Sequence, residues 1–212
     1  MTTSPSPSSP QSDTLLSQFK SFSAIFWLSG WMELVERFSY YGVRVVLPVF
    51  MVAAIGNGGP ELTQIQKGSL YAVWAIVQSF VPILSGGFAD RYGYKVNIGI
   101  ATLAKIVGYI IMAYCIPLAE MLADMPLAEA RAQGIDQTYG VLFIGAMFVA
   151  FGTAIFKPGI GGLIANQLSP KNSALGWSIF YQLVNVGGFF GPLVAGYLRV
   201  ISWDWVFIIC SA

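Results

Sequence analysis

Long apolar segments follow one another along this chain, and they constrain its fold more than any other feature. Of its 212 residues 56% are hydrophobic and 10% are charged, whereas a soluble domain averages about 25% charged residues. A surface of this composition cannot face water, and runs of about 20 apolar residues can cross a bilayer as helices. The sequence therefore predicts an all-α transmembrane protein.

Five full spans and one partial span are expected, with polar breaks between them. The predicted helices cover about 23–55, 66–89, 96–118, 139–168, 174–200 and 203–212. Pro48 predicts a kink in the first helix, and residues 119–137 form the longest polar connection. The last run reaches about half the length that a span needs. The sixth helix is therefore expected to be truncated and the chain to be a fragment.

The N-terminal segment, residues 1–21, is predicted to be a disordered tail that precedes the transmembrane bundle at 22–212. Its first part, "MTTSPSPSSPQSD", is rich in Ser, Thr and Pro and offers no side chains for a core. It lacks the basic segment and short apolar core of a signal peptide. The first span is therefore expected to remain in the mature protein.

Basic residues in the loops bear on the orientation in the membrane. The compact loop at 90–95 carries Arg91 and Lys95, which favours a cytoplasmic position for it. The full counts are balanced, because three basic residues lie on each predicted side. The compact loop predicts a cytoplasmic N-terminus, and the chain is expected to be a multi-pass protein of the plasma or inner membrane.

Composition also excludes several kinds of site. The net charge of +1 gives no reason to expect a nucleic acid partner. The sequence has no histidine, which excludes Ser-His triads and imidazole metal sites or proton relays from this chain. Cys115 and Cys210 lie in apolar runs and are expected to be packing residues. No nucleophile is paired with a base, so no enzyme activity, cofactor or metal is expected.

The first predicted span carries four formal charges between apolar flanks. In "ELVERFSYYGVR" the side chains of one stripe fall within roughly 100° of helix circumference; they are Glu33, Glu36, Arg37, Tyr40 and Arg44. Each charge facing lipid would oppose insertion by about 2.5–3.5 kcal/mol. The stripe is therefore predicted to face a polar cavity. The alternative is a self-neutralising network, with Arg37 paired to both glutamates, that only holds helices together.

Lys157 is a second ionisable residue inside an apolar run, in "FGTAIFKPGIGGL". A lysine at this depth needs a carboxylate, which a stripe glutamate or a substrate could supply. The alternative is that its side chain extends to the membrane interface. Pro158 interrupts local backbone hydrogen bonds, and the glycines that follow allow close approach of a ligand or helix.

Other polar residues in the spans allow more than one interpretation. Lys105 stands alone in the third span and is interpreted as a cavity-edge residue or a paired structural residue. Asn185 in the fifth span is favoured as a cavity residue, with an interhelical hydrogen bond as the alternative. Gly187 and Gly191 lie four residues apart, which predicts a helix-packing face.

Four stretches of the sequence resemble family motifs. "GGFADRYGYK" is similar to the Gly-x-x-x-Asp-Arg-x-Gly-x-Lys loop of the major facilitator superfamily. "ELVERFSYYG" resembles the Glu-x-x-Glu-Arg-Phe-x-Tyr-Tyr-Gly signature of the proton-dependent oligopeptide transporter family within it. "FKPGIGGL" and "FYQLVNVGGFFGPLVAGYL" resemble segments of that family's fourth and fifth helices.

The resemblance implies the N-terminal six-helix half of a symporter that uses protons to import di- and tripeptides. The bilayer and a missing C-terminal six-helix half would be its other partners. The residues that would couple proton movement to transport are Glu33, Glu36, Arg37 and Lys157. The residues that would bind the peptide are Tyr40, Tyr41, Arg44, Lys157 and Asn185. The residues that would latch one conformation are Gly86, Asp90, Arg91, Gly93 and Lys95.

Two positions depart from the family pattern. Asn usually follows Lys-Pro, whereas this chain has Gly159, so one polar pocket contact is expected to be absent. The pocket position of the second helix is commonly Tyr or His, and here Gln78 or Ser79 lies near it. The alternatives are a facilitator that carries nitrate, a drug or a carboxylate, and a non-transporting membrane sensor or assembly factor on the same fold.

Overall fold

The computed structural model describes residues 14–211, and all regular elements in that range are helical. This confirms the all-α prediction. The α-helices are α1 Leu15–Lys20, α2 Ala24–Val52, α3 Gln64–Tyr92, α4 Tyr94–Ala113, α5 Cys115–Ala123, α6 Leu127–Ala132, α7 Thr138–Ala165, α8 Ser173–Ile201 and α9 Trp203–Ser211. A single 3₁₀ turn, Ile55–Asn57, lies between α2 and α3.

Four helices in the described part of the chain are long and apolar enough to cross a membrane: α3, α4, α7 and α8. α2 has the same length of 29 residues as α3 and α8, but it carries the four charges of the stripe. α2 continues through Pro48 as one helix to Val52. The long helices are those of a multi-pass membrane protein.

Local sequence signals set the ends of the long helices. The Ser23 side chain accepts a hydrogen bond from the Phe26 N–H at the start of α2, and Thr63 with Gln66 forms a capping box at the start of α3. Gly93 separates α3 from α4 with φ +89°, a conformation that side chains disfavour. The loop expected at 90–95 is therefore a corner of one residue between two helices.

The segment expected to be the longest polar connection, 119–137, is partly helical. The third long helix ends at Ala113, and α5 begins directly after Tyr114. Ala119 and Leu127 are buried; α5 packs on α7 of the bundle, and α6 packs on α5. Glu120 Oε1 accepts a hydrogen bond of 2.9 Å from the Leu127 N–H at the start of α6.

The helix α1 lies in the stretch for which a disordered tail was expected. Phe19 lies 5.0 Å from Trp27, and Phe22 stacks on Phe26 at 4.3 Å, measured between ring centroids. These aromatic contacts attach residues 19–22 to the start of α2. Residues 1–13 of the expected tail lie outside the described residues.

Glycines bring the backbones of neighbouring helices together. α2 packs chiefly on α8, and α7 packs on both α4 and α3. A Cβ at Gly191 would overlap the Phe38 carbonyl of α2, and one at Gly187 would overlap the Leu34 carbonyl. The packing face predicted for these two glycines is confirmed. Small residues are favoured at such contacts because helix association in membranes depends on close van der Waals packing.

Two apolar clusters leave the charges of α2 between them. The smaller cluster contains Phe26 and Phe156, and the larger contains Tyr40, Leu47 and Phe207. Cys115 and Cys210 are both buried and free, and both belong to the larger cluster, which confirms them as packing residues. Glu33, Glu36 and Arg37 lie along α2 between Phe26 and Tyr40.

Candidate functional site

A network of buried charges joins α2 to α4. Glu33, Glu36 and Arg37 are 5%, 4% and 4% exposed. Arg37 Nε lies 3.1 Å from Glu33 Oε1, and the same guanidinium forms an ion pair with Glu36. Lys105 Nζ lies 3.4 Å from Glu36 Oε1. Two carboxylates and two cations therefore form one network with a formal charge of zero, which we call the charge cluster.

Lys105 is the member of the charge cluster that sequence reasoning did not place there. It is buried, which agrees with the interpretation of a paired residue. Its Nζ lies 4.2 Å from the centroid of the Phe156 ring, and Gly152 leaves room for its aliphatic stem. A charge count could have found it, because Glu33 and Glu36 have only Arg37 as a buried cation on their own helix.

Tyr40 lies between two guanidinium groups at one end of the charge cluster. The centroid of its ring is 5.2 Å from Arg37 Cζ and 5.4 Å from Arg44 Cζ. The Tyr40 hydroxyl donates a hydrogen bond of 2.8 Å to Gln78 Oε1 and accepts one from Arg44 Nη1. Gln78 therefore takes the polar position on α3, whereas the Ser79 hydroxyl bonds to the carbonyl of Ala75 on its own helix.

Tyr41 lies where α2 and α8 meet, and Asn185 lies on an exposed face of α8. The Tyr41 ring centroid is 5.9 Å from Arg37 Cζ, and the ring packs against Gly188. Asn185 is exposed on α8, three residues before Gly188. It forms no hydrogen bond with any residue in 14–211, so the interhelical bond considered from the sequence is not seen there.

Lys157 does not join the charge cluster. It is exposed on α7 and has no carboxylate within 4.0 Å among the described residues. Glu33, Glu36, Arg37 and Arg44 are the charges that act on it over a longer range. Arg44 is also exposed and forms no ion pair with a described carboxylate. A stripe glutamate was one of the two carboxylate partners considered for Lys157, and of these glutamates Glu36 pairs with Lys105 instead.

Gly159 faces α4 and not the polar residues of α2. It is buried, and a Cβ at this position would overlap Oδ1 of Asn97. Asn97 is 0% exposed, and neither atom of its amide has a hydrogen-bond partner in the described part of the chain. The expectation that Gly159 removes a pocket contact does not match this orientation, because a side chain here would point into the α4–α7 contact.

The five residues of the loop motif lie at the α3–α4 corner. Asp90, Arg91 and Lys95 are exposed, and none of them forms an ion pair within residues 14–211. The Tyr94 hydroxyl donates a hydrogen bond of 3.4 Å to Asp90 Oδ1. Gly86, one turn earlier on α3, lies beside Pro158 of α7, with 4.0 Å between a Cβ at Gly86 and Pro158 Cβ. The motif thus presents its charges to the outside of the bundle.

A cavity of 290 Å³ lies between α2, α4 and α9. Glu36 and Lys105 line it together with Tyr109 and Cys210. Within residues 14–211, no group of three or more acidic or cysteine side chains could hold a metal ion.

Comparisons with known proteins agree with the motifs. The family model described as Major Facilitator Superfamily matches residues 14–212. The peptide transporter YePEPT of Yersinia enterocolitica is 30% identical over 178 residues, which are 82% of this chain and 31% of that protein. The dipeptide and tripeptide permease A of Proteus mirabilis is 26% identical over 211 residues, 98% of this chain and 38% of that protein.

A di-/tripeptide transporter of Lactococcus lactis is 24% identical over 188 residues, 86% of this chain and 33% of that protein. These matches confirm the resemblance to peptide transporters that the motifs indicated. The chain spans about a third of the length of the curated relatives it matches.

Proposed function

The chain belongs to the Major Facilitator Superfamily, and on that premise we propose that it forms the N-terminal half of a proton-coupled symporter for di- and tripeptides. The similar proteins named as peptide transporters or permeases support the substrate class. The first-helix motif, "ELVERFSYYG", supports the same class.

The observation that carries this proposal is a neutral buried charge cluster close to two exposed cations. Glu33 and Glu36 are the acidic groups of the cluster, and both are buried on α2. Arg44 and Lys157 lie outside the cluster and have no carboxylate partner among residues 14–211. The carboxylate of a peptide fits such cations, since a charge-assisted hydrogen bond to a carboxylate is stronger than a neutral one.

Proton binding and peptide binding support each other in this arrangement. A proton on Glu33 or Glu36 leaves the cluster with a net charge of +1, because two cations then face one carboxylate. The peptide carboxylate restores neutrality when it binds near Arg44 and Lys157. Each ligand therefore favours the binding of the other, which is the mutual dependence that coupled transport needs.

The peptide would lie against the exposed polar side of α2, α7 and α8. Arg44 and Lys157 would contact its carboxylate, Tyr41 and Asn185 would line the pocket, and the buried Tyr40 would hold Arg44 in place. Gln78 adds a polar wall from α3, because it holds the hydroxyl of Tyr40. In this fold substrate sites lie at the interface between the two halves of the protein.

The second half of the symporter would cover helix faces that the described chain leaves open. α3 and α8 bury the smallest shares of their apolar windows. Phe80 and Leu84 on α3 and Phe190 on α8 are more than half exposed. We place a six-helix C-terminal half, and lipid around it, against these faces. The charges of the α3–α4 corner, Asp90 and Arg91 among them, would latch one conformation of the transporter. They would lie on the cytoplasmic side of the plasma or inner membrane, and so would the N-terminus.

The test is dipeptide uptake by the complete protein reconstituted in liposomes. Glu36→Gln should abolish accumulation driven by a proton gradient and leave dipeptide counterflow measurable, because the variant still exchanges peptide but no longer binds the coupling proton. Glu129→Gln is the control, since Glu129 is exposed on α6 and forms no ion pair with a described residue. Undiminished accumulation by Glu36→Gln would show that Glu36 does not couple.

The alternatives give different results in the same liposomes. If the protein carries nitrate, a drug or another carboxylate, an excess of dipeptide should leave the uptake of that substrate unchanged. A membrane sensor predicts saturable dipeptide binding with neither accumulation nor counterflow. The proposal requires both accumulation and counterflow of a labelled dipeptide, and competition by unlabelled dipeptides.

A further inference from the structure

Lys105 is the residue through which α4 reaches the charges of α2. α4 packs chiefly on α7 and α9, and the side chain of Lys105 extends from it to Glu36 with 3.4 Å between Nζ and Oε1. Lys105 is 8% exposed, and its Nζ lies 4.2 Å from the centroid of the Phe156 ring.

The charge balance of the buried groups depends on Lys105. Without it, Glu33 and Glu36 would share a single buried cation, Arg37, and the cluster would carry a net charge of −1. The cations Arg44 and Lys157 are exposed and lie outside the cluster. A buried charge without a partner is costly, so one glutamate would hold a proton permanently. With Lys105 present, both glutamates can be ionised when no proton is bound.

We propose that Lys105 is a positioning residue for proton coupling, which keeps Glu36 ionised and held towards α4 until the coupling proton arrives. This inference rests on the proposed symport. It adds a role for a residue on a helix that carries no other part of the proposed peptide site. Because Lys105 sets the resting charge to zero, each proton that binds produces the positive charge that the peptide carboxylate neutralises.

Six other titratable groups of the described residues lie around the pair. Those that face Lys105 or Glu36 from the helices packed around them are Glu33, Arg37 and Tyr40 on α2, Tyr109 on α4, Lys157 on α7 and Cys210 on α9. Glu33 is the second carboxylate in this set, and Arg37 already serves both glutamates. Lys105 is therefore the one cation in the described chain that contacts Glu36 alone.

The test compares Lys105→Gln and Lys105→Arg in the complete protein reconstituted in liposomes. Lys105→Gln should lower gradient-driven dipeptide accumulation by about tenfold or more, because Glu33 and Glu36 would then share one buried cation and the charge cluster would no longer be neutral at rest. Dipeptide counterflow should remain measurable. Lys105→Arg should restore accumulation, because the adjoining cavity of 290 Å³ has room for the larger side chain. Lys171→Gln, at an exposed lysine, should match the wild type.

Each result separates the inference from the function on which it rests. If the wild type accumulates dipeptide and Lys105→Gln does so equally well, the role of Lys105 is refuted while symport stands. If Lys105→Gln and Lys105→Arg lose accumulation and counterflow together, Lys105 is only structural, and the inference again fails. If the wild type accumulates no dipeptide, the proposed function fails and the inference fails with it.

A second variant covers the case in which Lys105→Gln does not fold. The double variant Lys105→Gln/Glu36→Gln removes both charges of the pair, so no charge is left buried without its partner. It should recover the melting temperature and the counterflow that the single variant lacks, and still show no gradient-driven accumulation. Failure of the double variant to recover its melting temperature would contradict the pairing of Lys105 with Glu36.

Discussion

Gly159 of α7 lies directly against the side-chain oxygen of Asn97 on α4, with no room for a Cβ between them. Asn97 is 0% exposed, and its amide has no hydrogen-bond partner in residues 14–211. The two residues are complementary in size, because a side chain at 159 would need the volume that the Asn97 amide fills. Another glycine of the same helix is Gly161, and a Cβ added there would contact nothing within 4 Å.

The Gly159–Asn97 contact predicts opposite effects of the same substitution at two positions of α7. Gly159→Ala should destabilise the protein by about 1–3 kcal/mol, because the added methyl overpacks the contact. Gly161→Ala should be neutral or stabilising, since alanine favours a helix over glycine by about 1 kcal/mol. Thermal unfolding in detergent measures both. Asn97→Ala combined with Gly159→Ala should recover stability, and no recovery would contradict the contact.

Gly191 predicts how closely α2 and α8 must pack. A Cβ added at Gly191 would overlap the backbone carbonyl of Phe38, which cannot rotate away as a side chain could. Gly191→Ala should therefore separate the two helices, lower the melting temperature and displace Tyr41 from Gly188. Gly196→Ala on the same helix is the matched control, because a Cβ there contacts nothing within 4 Å. Equal melting temperatures for the two variants would refute the role of Gly191.

Those features that depend on local pattern could be predicted from the sequence. The apolar runs predicted an all-helical membrane protein, and the spacing of Glu33, Glu36 and Arg37 placed them on one face of a helix. Both follow from the helix period and from the cost of a charge in lipid. The packing role of Gly187 and Gly191 also follows from their spacing on one helix.

Features that depend on which helices become neighbours could not be predicted in this way. The pairing of Lys105 with Glu36 joins residues of α2 and α4 that are 69 positions apart in the sequence. The side that Gly159 faces is set by the packing of α7 on α4, and the family pattern alone suggested a pocket contact. The short helices α5 and α6 could not be predicted, because their few buried apolar positions, such as Ala119 and Leu127, lie among the charged residues of 119–137.

Tyr40 predicts a substrate-binding effect that depends on one hydroxyl group. Tyr40→Phe removes the group that donates to Gln78 and accepts from Arg44, while the ring stays between the guanidiniums of Arg37 and Arg44. The KM for dipeptide should rise by about tenfold, which corresponds to the loss of about one hydrogen bond that holds Arg44 in place. Tyr197→Phe, at a residue that is 71% exposed, should leave the KM unchanged.

The measurement for Tyr40 is the concentration dependence of dipeptide uptake in liposomes, with the amount of reconstituted protein determined in parallel. A lower maximal rate at constant KM would assign Tyr40 to a step after binding and contradict a role in positioning Arg44. Gln78→Leu should raise the KM in the same direction, since it removes the other partner of the hydroxyl.

Asp136 links the loop before α7 to the loop before α3. Its Oδ2 accepts hydrogen bonds of 3.0 and 3.2 Å from Arg131, which also pairs with Glu61 at 3.3 Å. Its Oδ1 accepts one of 2.8 Å from the Thr138 N–H at the start of α7. Partial burial acts to raise the pKa of Asp136, but the hydrogen bonds from Thr138 and Arg131 outweigh it and hold the pKa below its ordinary value of 3.8.

The lowered pKa of Asp136 predicts how its contribution to stability depends on pH. A carboxyl group whose pKa is lower in the folded protein stabilises it above the unfolded pKa, and this stability is lost as the pH falls through the folded pKa. Asp136→Asn should therefore lower the free energy of unfolding at pH 7 by about 0.5–1 kcal/mol, and the melting temperature should fall with it. The deficit should shrink as the pH falls below about 4.

Melting curves of the wild type and Asp136→Asn between pH 7 and about pH 3 measure this dependence. Asparagine keeps the acceptor for the Thr138 N–H, so the comparison isolates the charge. Asp124→Asn is the matched control, because Asp124 is exposed, forms no ion pair with a described residue and has a left-handed φ of 55° that asparagine tolerates. A deficit of the same size at both ends of the pH range would mean that Asp136 acts through packing and not through its charge.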